Sequence, residues 1–134
     1  MKRFDHVGII VDDLEQAKAF AANTLGLQLK QEFQLPEQSV LAAFFGLGDF
    51  RIELIEVTDP ELRKQRLGEG AQARIEHIAI EVENLDKTIA TIRGQGIETT
   101  TPEPWVVGTN RNIFTKAEST DGVRWQFFER LQPA

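Results

Sequence analysis

The stretch Phe4-Asp-His-Val-Gly-Ile-Ile-Val-Asp-Asp-Leu-Glu15 occurs a second time in the chain, as Ile75-Glu-His-Ile-Ala-Ile-Glu-Val-Glu-Asn-Leu-Asp86. The two copies share their pattern of apolar residues and their acidic end. His6 and His77, the only two histidines among the 134 residues, fall at the same place in both copies. An internal repeat of this kind predicts that the chain folds as two equivalent structural units.

A second pair of matching stretches closes each unit, because Phe50-Arg-Ile-Glu-Leu-Ile-Glu56 corresponds to Val123-Arg-Trp-Gln-Phe-Phe-Glu129. Between the two stretches of each copy, the apolar periodicity predicts one helix and two further strands. Each unit is therefore predicted to be βαβββ, which makes the fold class α+β. In the second unit we predict its second strand at 97–101 and a loop at 105–110.

These units define the expected domain organisation. We expect one domain over residues 1–134, with module one at about 1–57, a polar linker at 58–73 and module two at about 74–134. The linker begins with Thr58-Asp-Pro-Glu, which is typical of a short helix or turn, since proline is favoured at the first helical position.

Composition argues against several kinds of partner. The net charge of −6, without a basic stripe, argues against nucleic-acid binding. No apolar run approaches the roughly twenty residues that a membrane-spanning helix needs. The sequence contains no cysteine, which excludes disulfides and thiolate metal sites. With no signal-peptide pattern after Met1, we expect a cytoplasmic protein.

Strand alternation assigns the polar residues to faces. Val7, Ile9 and Val11 share the face that should pack on the helix of the first unit, so the side chain of His6 lies on the opposite face. Gly8, next along that face, leaves open space beside the histidine.

The same alternation applies to the second unit and to the last strand of each unit. If the two units curve toward each other, four side chains can converge on one point: His6, Glu53, His77 and Gln126. Glu129 lies three positions after Gln126, so we expect its side chain on the opposite face.

With these motifs in this order, the sequence resembles the vicinal oxygen chelate superfamily. That superfamily includes glyoxalase I, methylmalonyl-CoA epimerase, extradiol dioxygenases, and the fosfomycin- and bleomycin-resistance proteins. The motifs that carry the resemblance are Asp5-His6-Val-Gly-Ile-Ile-Val, Arg51-Ile-Glu53-Leu-Ile, Glu76-His77-Ile-Ala-Ile-Glu-Val and Asp121-Gly-Val-Arg-Trp-Gln126-Phe. The resemblance implies two βαβββ modules that form an open, curved, mixed sheet around a central cavity.

The resemblance also implies one divalent metal ion, held by His6, Glu53, His77 and Gln126. Two imidazoles, a carboxylate and an amide oxygen suit Zn²⁺, Ni²⁺, Co²⁺, Mn²⁺ or Fe²⁺. Gln126 departs from the glutamate that glyoxalase I and the epimerases usually carry there. An amide oxygen can ligate a metal, but it cannot act as a base at neutral pH.

With this donor set, the resemblance implies a glyoxalase-like lyase or isomerase that acts on a small oxygenated metabolite. The metal would act as a Lewis acid and stabilise an enediolate, with Glu53 as the general base. Candidate substrate-binding residues are Arg51, Arg124, Asn110, Arg111 and Trp105. By resemblance we also expect a homodimer.

Three alternatives stay open. A module of the bleomycin-resistance type would sequester a small ligand and need no metal. A methylmalonyl-CoA epimerase-like enzyme usually needs an acid on each face of the reacting carbon, whereas the chain offers Gln126 and, on its third strand, Ala42 and Ala43. An Fe(II) dioxygenase would use two histidines and one carboxylate, here His6, His77 and Glu53.

Overall fold

The computed structural model describes residues 1–131 and has the predicted α+β fold of two βαβββ modules. The strands and helices of module one are β1 (Arg3–Val11), α1 (Leu14–Ala19), β2 (Gln28–Leu35), β3 (Val40–Leu47) and β4 (Phe50–Val57). A helix, α2 (Pro60–Leu67), follows. Those of module two are β5 (Ala73–Glu81), α3 (Leu85–Gly94), β6 (Trp105–Val107), β7 (Asn110–Phe114) and β8 (Arg124–Arg130).

The chain divides into two compact units, His6–Glu76 and Met1–Asp5 together with the segment from His77 onward. The first unit has the strand order β2-β3-β4-β1, and the second has β6-β7-β8-β5. In each unit the first and last strands of the module pair in parallel, β1 with β4 and β5 with β8, while the other pairs are antiparallel. Each unit therefore contains a mixed sheet.

One face of each sheet packs against the helix of its own module, as the strand alternation predicted. In the first unit Ile9 and Val11 pack with Leu14, Ala17 and Ala21. The second unit repeats this arrangement with an equivalent set: Ile80, Val82, Leu85, Ile89 and Ile92. The histidine of each module lies on the opposite face of its sheet.

The two module helices are anchored in the same way. Asp13 and Asn84 cap α1 and α3 by accepting hydrogen bonds from main-chain N–H groups three residues later. In addition, Glu56 accepts a hydrogen bond from the Leu14 N–H at 2.8 Å. The equivalent Glu129 accepts one from the Leu85 N–H at 2.9 Å. Glu129 therefore lies on the helix side of its strand, as predicted.

The segment 58–73 contains helix α2, which Asp59 caps and Pro60 begins. Its last residue, Leu67, is buried against β1, β3 and β4 in a cluster with Ile10, Ala42 and Ile55. The segment predicted as a polar linker thus contributes an apolar side chain to the core of the first unit.

The second strand of module two is not where the sequence placed it. At 97–101 the structure has only an isolated bridge between Thr99 and Thr115, and β6 lies in the stretch predicted as a loop. Pro102 and Pro104 lack the N–H groups that a strand ladder needs. Gly108, with φ of +59°, instead makes the tight turn that joins β6 to β7.

Within residues 1–131, no helix has both the length and the apolar character needed to cross a membrane.

We expect Glu129→Ala to lower the free energy of unfolding by about 1–2 kcal/mol, because it leaves the first N–H of α3 without its acceptor. Urea denaturation of the purified protein measures this change. Glu103→Ala, at an exposed position in the same unit, is the matched control and should change stability by less than about 0.5 kcal/mol. Equal losses in the two variants would contradict the anchoring role.

Stability should also depend on Glu81, a buried carboxylate in the second unit that pairs with Arg3 at 2.9 Å and with Arg130 at 3.4 Å. Burial alone raises the pKa of Glu81. The hydrogen bond from Arg3 and the charges of Arg130 and Lys2 outweigh burial, so that the pKa lies below its ordinary value of 4.5. The folded chain therefore releases this proton at a lower pH than the unfolded chain.

We expect Glu81→Gln to cost about 1 kcal/mol at pH 7, a modest figure because Arg3 and Arg130 are partly exposed. The stabilisation by Glu81 is fully present above pH 4.5 and is lost as pH falls through the lower folded-state pKa. Denaturation curves of both proteins between pH 7 and pH 3 should converge at the acidic end. A difference that stays constant over this range would disprove the linkage.

Candidate functional site

Parallel pairing of β1 with β4 builds the polar face of module one. It sets His6 opposite Arg51 and Gly8 opposite Glu53. Because Gly8 carries no side chain, the carboxylate of Glu53 has space beside the imidazole. The register therefore places an acid and a histidine side by side on the face that the helix does not cover.

His6 and Glu53 contact each other directly, with 3.3 Å between His6 Nε2 and Glu53 Oε1. Both side chains are largely buried, at 5% and 12% exposure. Two donors on one divalent ion, each bonded at about 2.0–2.2 Å, lie about 3.0–3.5 Å apart. The observed distance fits that range, so this pair is a possible His/Glu site for a divalent metal.

Module two repeats the arrangement with different chemistry. Pairing of β5 with β8 sets His77 opposite Arg124 and Ala79 opposite Gln126. Gln126 is buried, and its Nε2 donates a hydrogen bond to Asn112 Oδ1 at 2.9 Å. The position that holds a carboxylate in module one thus holds an amide with its own buried partner here.

Each histidine makes a T-shaped contact with a phenylalanine, and an arginine guanidinium lies over the ring of the same phenylalanine. In the first unit, the rings of His6 and Phe44 are 5.0 Å apart at 81°, and the Arg51 guanidinium lies 4.1 Å from the Phe44 centroid. The second unit repeats both contacts, with His77 5.3 Å from Phe114 and Arg124 at 4.4 Å from the same ring. These edge and cation–π contacts fix the imidazoles and guanidiniums on the polar faces.

A further aromatic ring stacks on each phenylalanine. Phe33 stacks on Phe44 with 5.8 Å between centroids, and Trp105 stacks on Phe114 with 5.9 Å. Trp105, predicted to contact substrate, therefore lies beside the polar face of the second unit, stacked on the phenylalanine that His77 contacts.

The connector helix α2 supplies a partly buried cation, Arg66, to the first unit. Arg66 donates two hydrogen bonds to Glu76, at 2.8 and 2.7 Å. Burial lowers the pKa of Arg66, but the hydrogen bonds and charge of Glu76, with a smaller contribution from the charge of Glu53, raise it above its ordinary value. Arg66 therefore stays charged and interacts favourably with Glu53.

The last two predicted substrate-binding residues, Asn110 and Arg111, point to opposite sides of β7. Arg111 donates a hydrogen bond to Asp86 of α3 at 3.1 Å, so its guanidinium lies on the helix side. Asn110 lies on the side of Asn112. Its Oδ1 is buried and accepts no hydrogen bond from residues 1–131. The structure thus brings Asn110, and not Arg111, to the polar face.

Sequence reasoning missed Asn112, Phe44 and Phe33. The repeat contained a signal for Phe44, which occupies the same place in module one as Phe114 in module two. Asn112 has Ala42 as its counterpart, so the repeat gave no indication of a functional residue there.

Both the sequence and the fold of this chain are similar to those of known proteins. The sequence profile of the Glyoxalase/Bleomycin resistance protein/Dioxygenase superfamily matches residues 5–115. The chain belongs to this superfamily. The resemblance predicted from the four motifs is confirmed, and the donor atoms on the polar faces are of the kinds that a divalent metal accepts.

Several superfamily members of named activity are similar to this chain. Human mitochondrial methylmalonyl-CoA epimerase is 33% identical over 107 residues, which cover 75% of this chain and 58% of the human protein. The probable chloroplastic lactoylglutathione lyase of Arabidopsis thaliana is 27% identical over 133 residues, covering 96% of this chain and 36% of the plant protein. The chain thus spans little more than half the length of the human epimerase and about a third of the plant lyase.

A solved superfamily structure has the same fold. The methylmalonyl-CoA epimerase of Mycobacterium tuberculosis superposes with a TM-score of 0.85 and 25% identity, covering 97% of this chain and 88% of that protein. The relatives of this chain within the superfamily thus include proteins named as an epimerase and as a probable lyase.

Proposed function

We propose that this superfamily member is a divalent-metal-dependent lyase or isomerase of the glyoxalase type, acting on a small oxygenated metabolite. The observation that supports this proposal best is the single carboxylate in the predicted donor set. Glu53 lies against His6 at 3.3 Å, while its counterpart Gln126 is an amide bonded to Asn112.

The proposed metal ligands are His6, Glu53, His77 and Gln126, for Zn²⁺, Ni²⁺, Co²⁺, Mn²⁺ or Fe²⁺. The spacing of His6 and Glu53 supports this assignment, as does the repetition of histidine and polar oxygen in module two. Convergence of the two modules on one ion is part of the proposal. When bound, the ion would polarise substrate oxygens and stabilise the negative charge that develops as a proton leaves.

Glu53 is the proposed general base. A carboxylate has two oxygens, so one can ligate while the other accepts a proton. Glu53 would take the proton from a carbon next to a carbonyl group and return it to the neighbouring carbon on the same side of the substrate. A single base is enough for this transfer, because the proton never has to reach the opposite face.

Four residues are proposed to hold the substrate: Arg51, Arg124, Asn110 and Trp105. Stacking on Phe44 and Phe114 holds the two guanidiniums in place, and planar guanidinium groups bind carboxylate or phosphate with two hydrogen bonds. Arg111 is left out because it pairs with Asp86. A homodimer is the proposed assembly, by membership of the superfamily.

Epimerisation of an acyl-CoA thioester is the second candidate, and the names of the human and mycobacterial relatives favour it. An epimerase usually removes a proton on one face of a carbon and returns one on the other, which needs two acid–base groups. Here Gln126 cannot be the second, and the site face of β3 carries Ala42 and Phe44 where an acid would be required. These residues favour the one-base reaction.

We expect tag-free protein to bind close to one equivalent of divalent metal per chain, and His6→Ala/His77→Ala to bind none at that site. Inductively coupled plasma mass spectrometry after dialysis measures the content. Because the chain has no other histidine, the double variant removes every imidazole. Wild-type protein without metal after reconstitution with Ni²⁺, Zn²⁺, Co²⁺ and Mn²⁺ would overturn the proposal and favour the metal-free, ligand-sequestering module.

Glu53→Gln should separate metal binding from catalysis. The amide keeps an oxygen ligand like that of Gln126, so metal should remain bound. The base is lost, so we expect kcat to fall about 10²–10⁴-fold. Suitable assays are conversion of 2-oxo aldehydes with thiols, and deuterium uptake into methylmalonyl-CoA in D₂O followed by NMR.

The two assays also distinguish the two candidate reactions. Turnover of a 2-oxo aldehyde that Glu53→Gln abolishes supports the lyase. Inversion of methylmalonyl-CoA that survives in Glu53→Gln would show that another residue is the base, and would replace the proposal with an epimerase that works by a different group.

A further inference from the structure

Asn112 is a buried polar residue whose contacts are all defined. It lies in the middle of β7, with 3% of its surface exposed. Its Nδ2 donates to the Asn110 carbonyl at 3.1 Å and lies 3.5 Å from the Trp105 carbonyl. Its Oδ1 accepts the hydrogen bond from Gln126 Nε2 at 2.9 Å.

These contacts fix the orientation of the Asn112 side-chain amide first and, through it, that of Gln126. Main-chain carbonyls only accept hydrogen bonds, so the amide nitrogen of Asn112 must face Asn110 and Trp105. The oxygen of Asn112 then faces Gln126, where only the Nε2 group can donate to it. The carbonyl oxygen of Gln126 is consequently turned away from Asn112.

Module one has no counterpart of the hydrogen bond between Asn112 and Gln126. The residue equivalent to Asn112 is Ala42, which is buried and has no polar side-chain atom. The residue equivalent to Gln126 is Glu53, whose two carboxylate oxygens are chemically equivalent. Either oxygen of Glu53 can ligate, whereas only one of the two polar atoms of Gln126 can.

We propose that Asn112 is a positioning residue that turns the carbonyl oxygen of Gln126 toward the metal. This inference rests on the proposed function, because it assumes that Gln126 is a ligand. Second partners of this kind commonly set the orientation of a metal ligand and change metal affinity by about 10–100-fold. Asn112 thus supplies the fixed orientation that the amide of Gln126 needs in order to present its oxygen.

The contact with Asn112 is unfavourable for a glutamate at position 126, the residue that glyoxalase I and the epimerases usually carry there. In Gln126→Glu, a carboxylate faces Asn112 Oδ1, and neither oxygen can donate a hydrogen bond. Asn112 can relieve the repulsion only by rotating, which breaks its bonds to the main chain. Introducing glutamate alone should therefore not strengthen metal binding, although it adds a negative charge.

A double-mutant cycle tests the proposal, with Ni²⁺ alone as the probe and isothermal titration calorimetry as the measurement. We expect Asn112→Ala to weaken Ni²⁺ binding about 10–100-fold when residue 126 is glutamine. In the Gln126→Glu background the same change should have an effect within about twofold or should strengthen binding, since a carboxylate needs no orientation. Thr109→Ala, at an exposed position between β6 and β7, is the control and should leave the affinity unchanged.

Side-chain NMR of the metal-free protein gives a second readout. The Gln126 NH₂ group should show two well-separated proton signals in wild type, because one hydrogen is bonded to Asn112. In Asn112→Ala these signals should move toward the positions of exposed amides. Should Asn112→Ala fail to fold, Asn112→Ser serves instead, because its rotating hydroxyl no longer dictates which Gln126 atom it meets.

The outcomes separate this inference from the proposed function. Wild-type protein that binds no metal overturns the proposed function. Metal binding that is lost in His6→Ala/His77→Ala but weakened equally by Asn112→Ala in both backgrounds overturns only the positioning role, and shows that Asn112 is structural. Unchanged Ni²⁺ affinity in Asn112→Ala likewise overturns only the positioning role.

Discussion

Parallel hydrogen bonding between the first and last strands of each module is the constraint that organises this protein. It sets each histidine opposite an arginine, and each acid or amide opposite a small residue. Because Glu53 and Glu56 are three positions apart, one faces the candidate site while the other anchors the helix on the reverse side. A single strand therefore positions both a candidate ligand and the start of α1.

The two modules keep the same geometry and differ in chemistry. The contacts between histidine, phenylalanine and arginine are nearly identical in both. The difference lies in the oxygen donor, which is the carboxylate of Glu53 in one module and the amide of Gln126, bonded to Asn112, in the other. With only one carboxylate in the proposed donor set, proton transfer on one face of a substrate is the chemistry that these residues support best.

Some features became visible only in the folded chain, because they depend on the partner against which a segment packs. The strand at Trp105–Val107 forms because the turn at Gly108 brings it against β7, and its own three residues are too few to show a strand pattern. The burial of Leu67 is similar, since it ends a largely polar helix and only folding brings it against Ile10 and Ala42. Local patterns carry no information on such partners.

The amino-acid sequence was enough to predict the α+β class, the two βαβββ modules, the superfamily, and the faces of His6 and Glu129. The fold class, the modules and the faces follow from residue periodicity and from the repeat, which are properties of the chain alone, and the superfamily follows from the resemblance of the four motifs. The folded chain was needed to show that His6 lies 3.3 Å from Glu53, that Arg111 pairs with Asp86 of α3, and which atom of Gln126 faces Asn112. The physical reason is that hydrogen bonds and ion pairs are directional, so their geometry depends on partners that folding alone brings together.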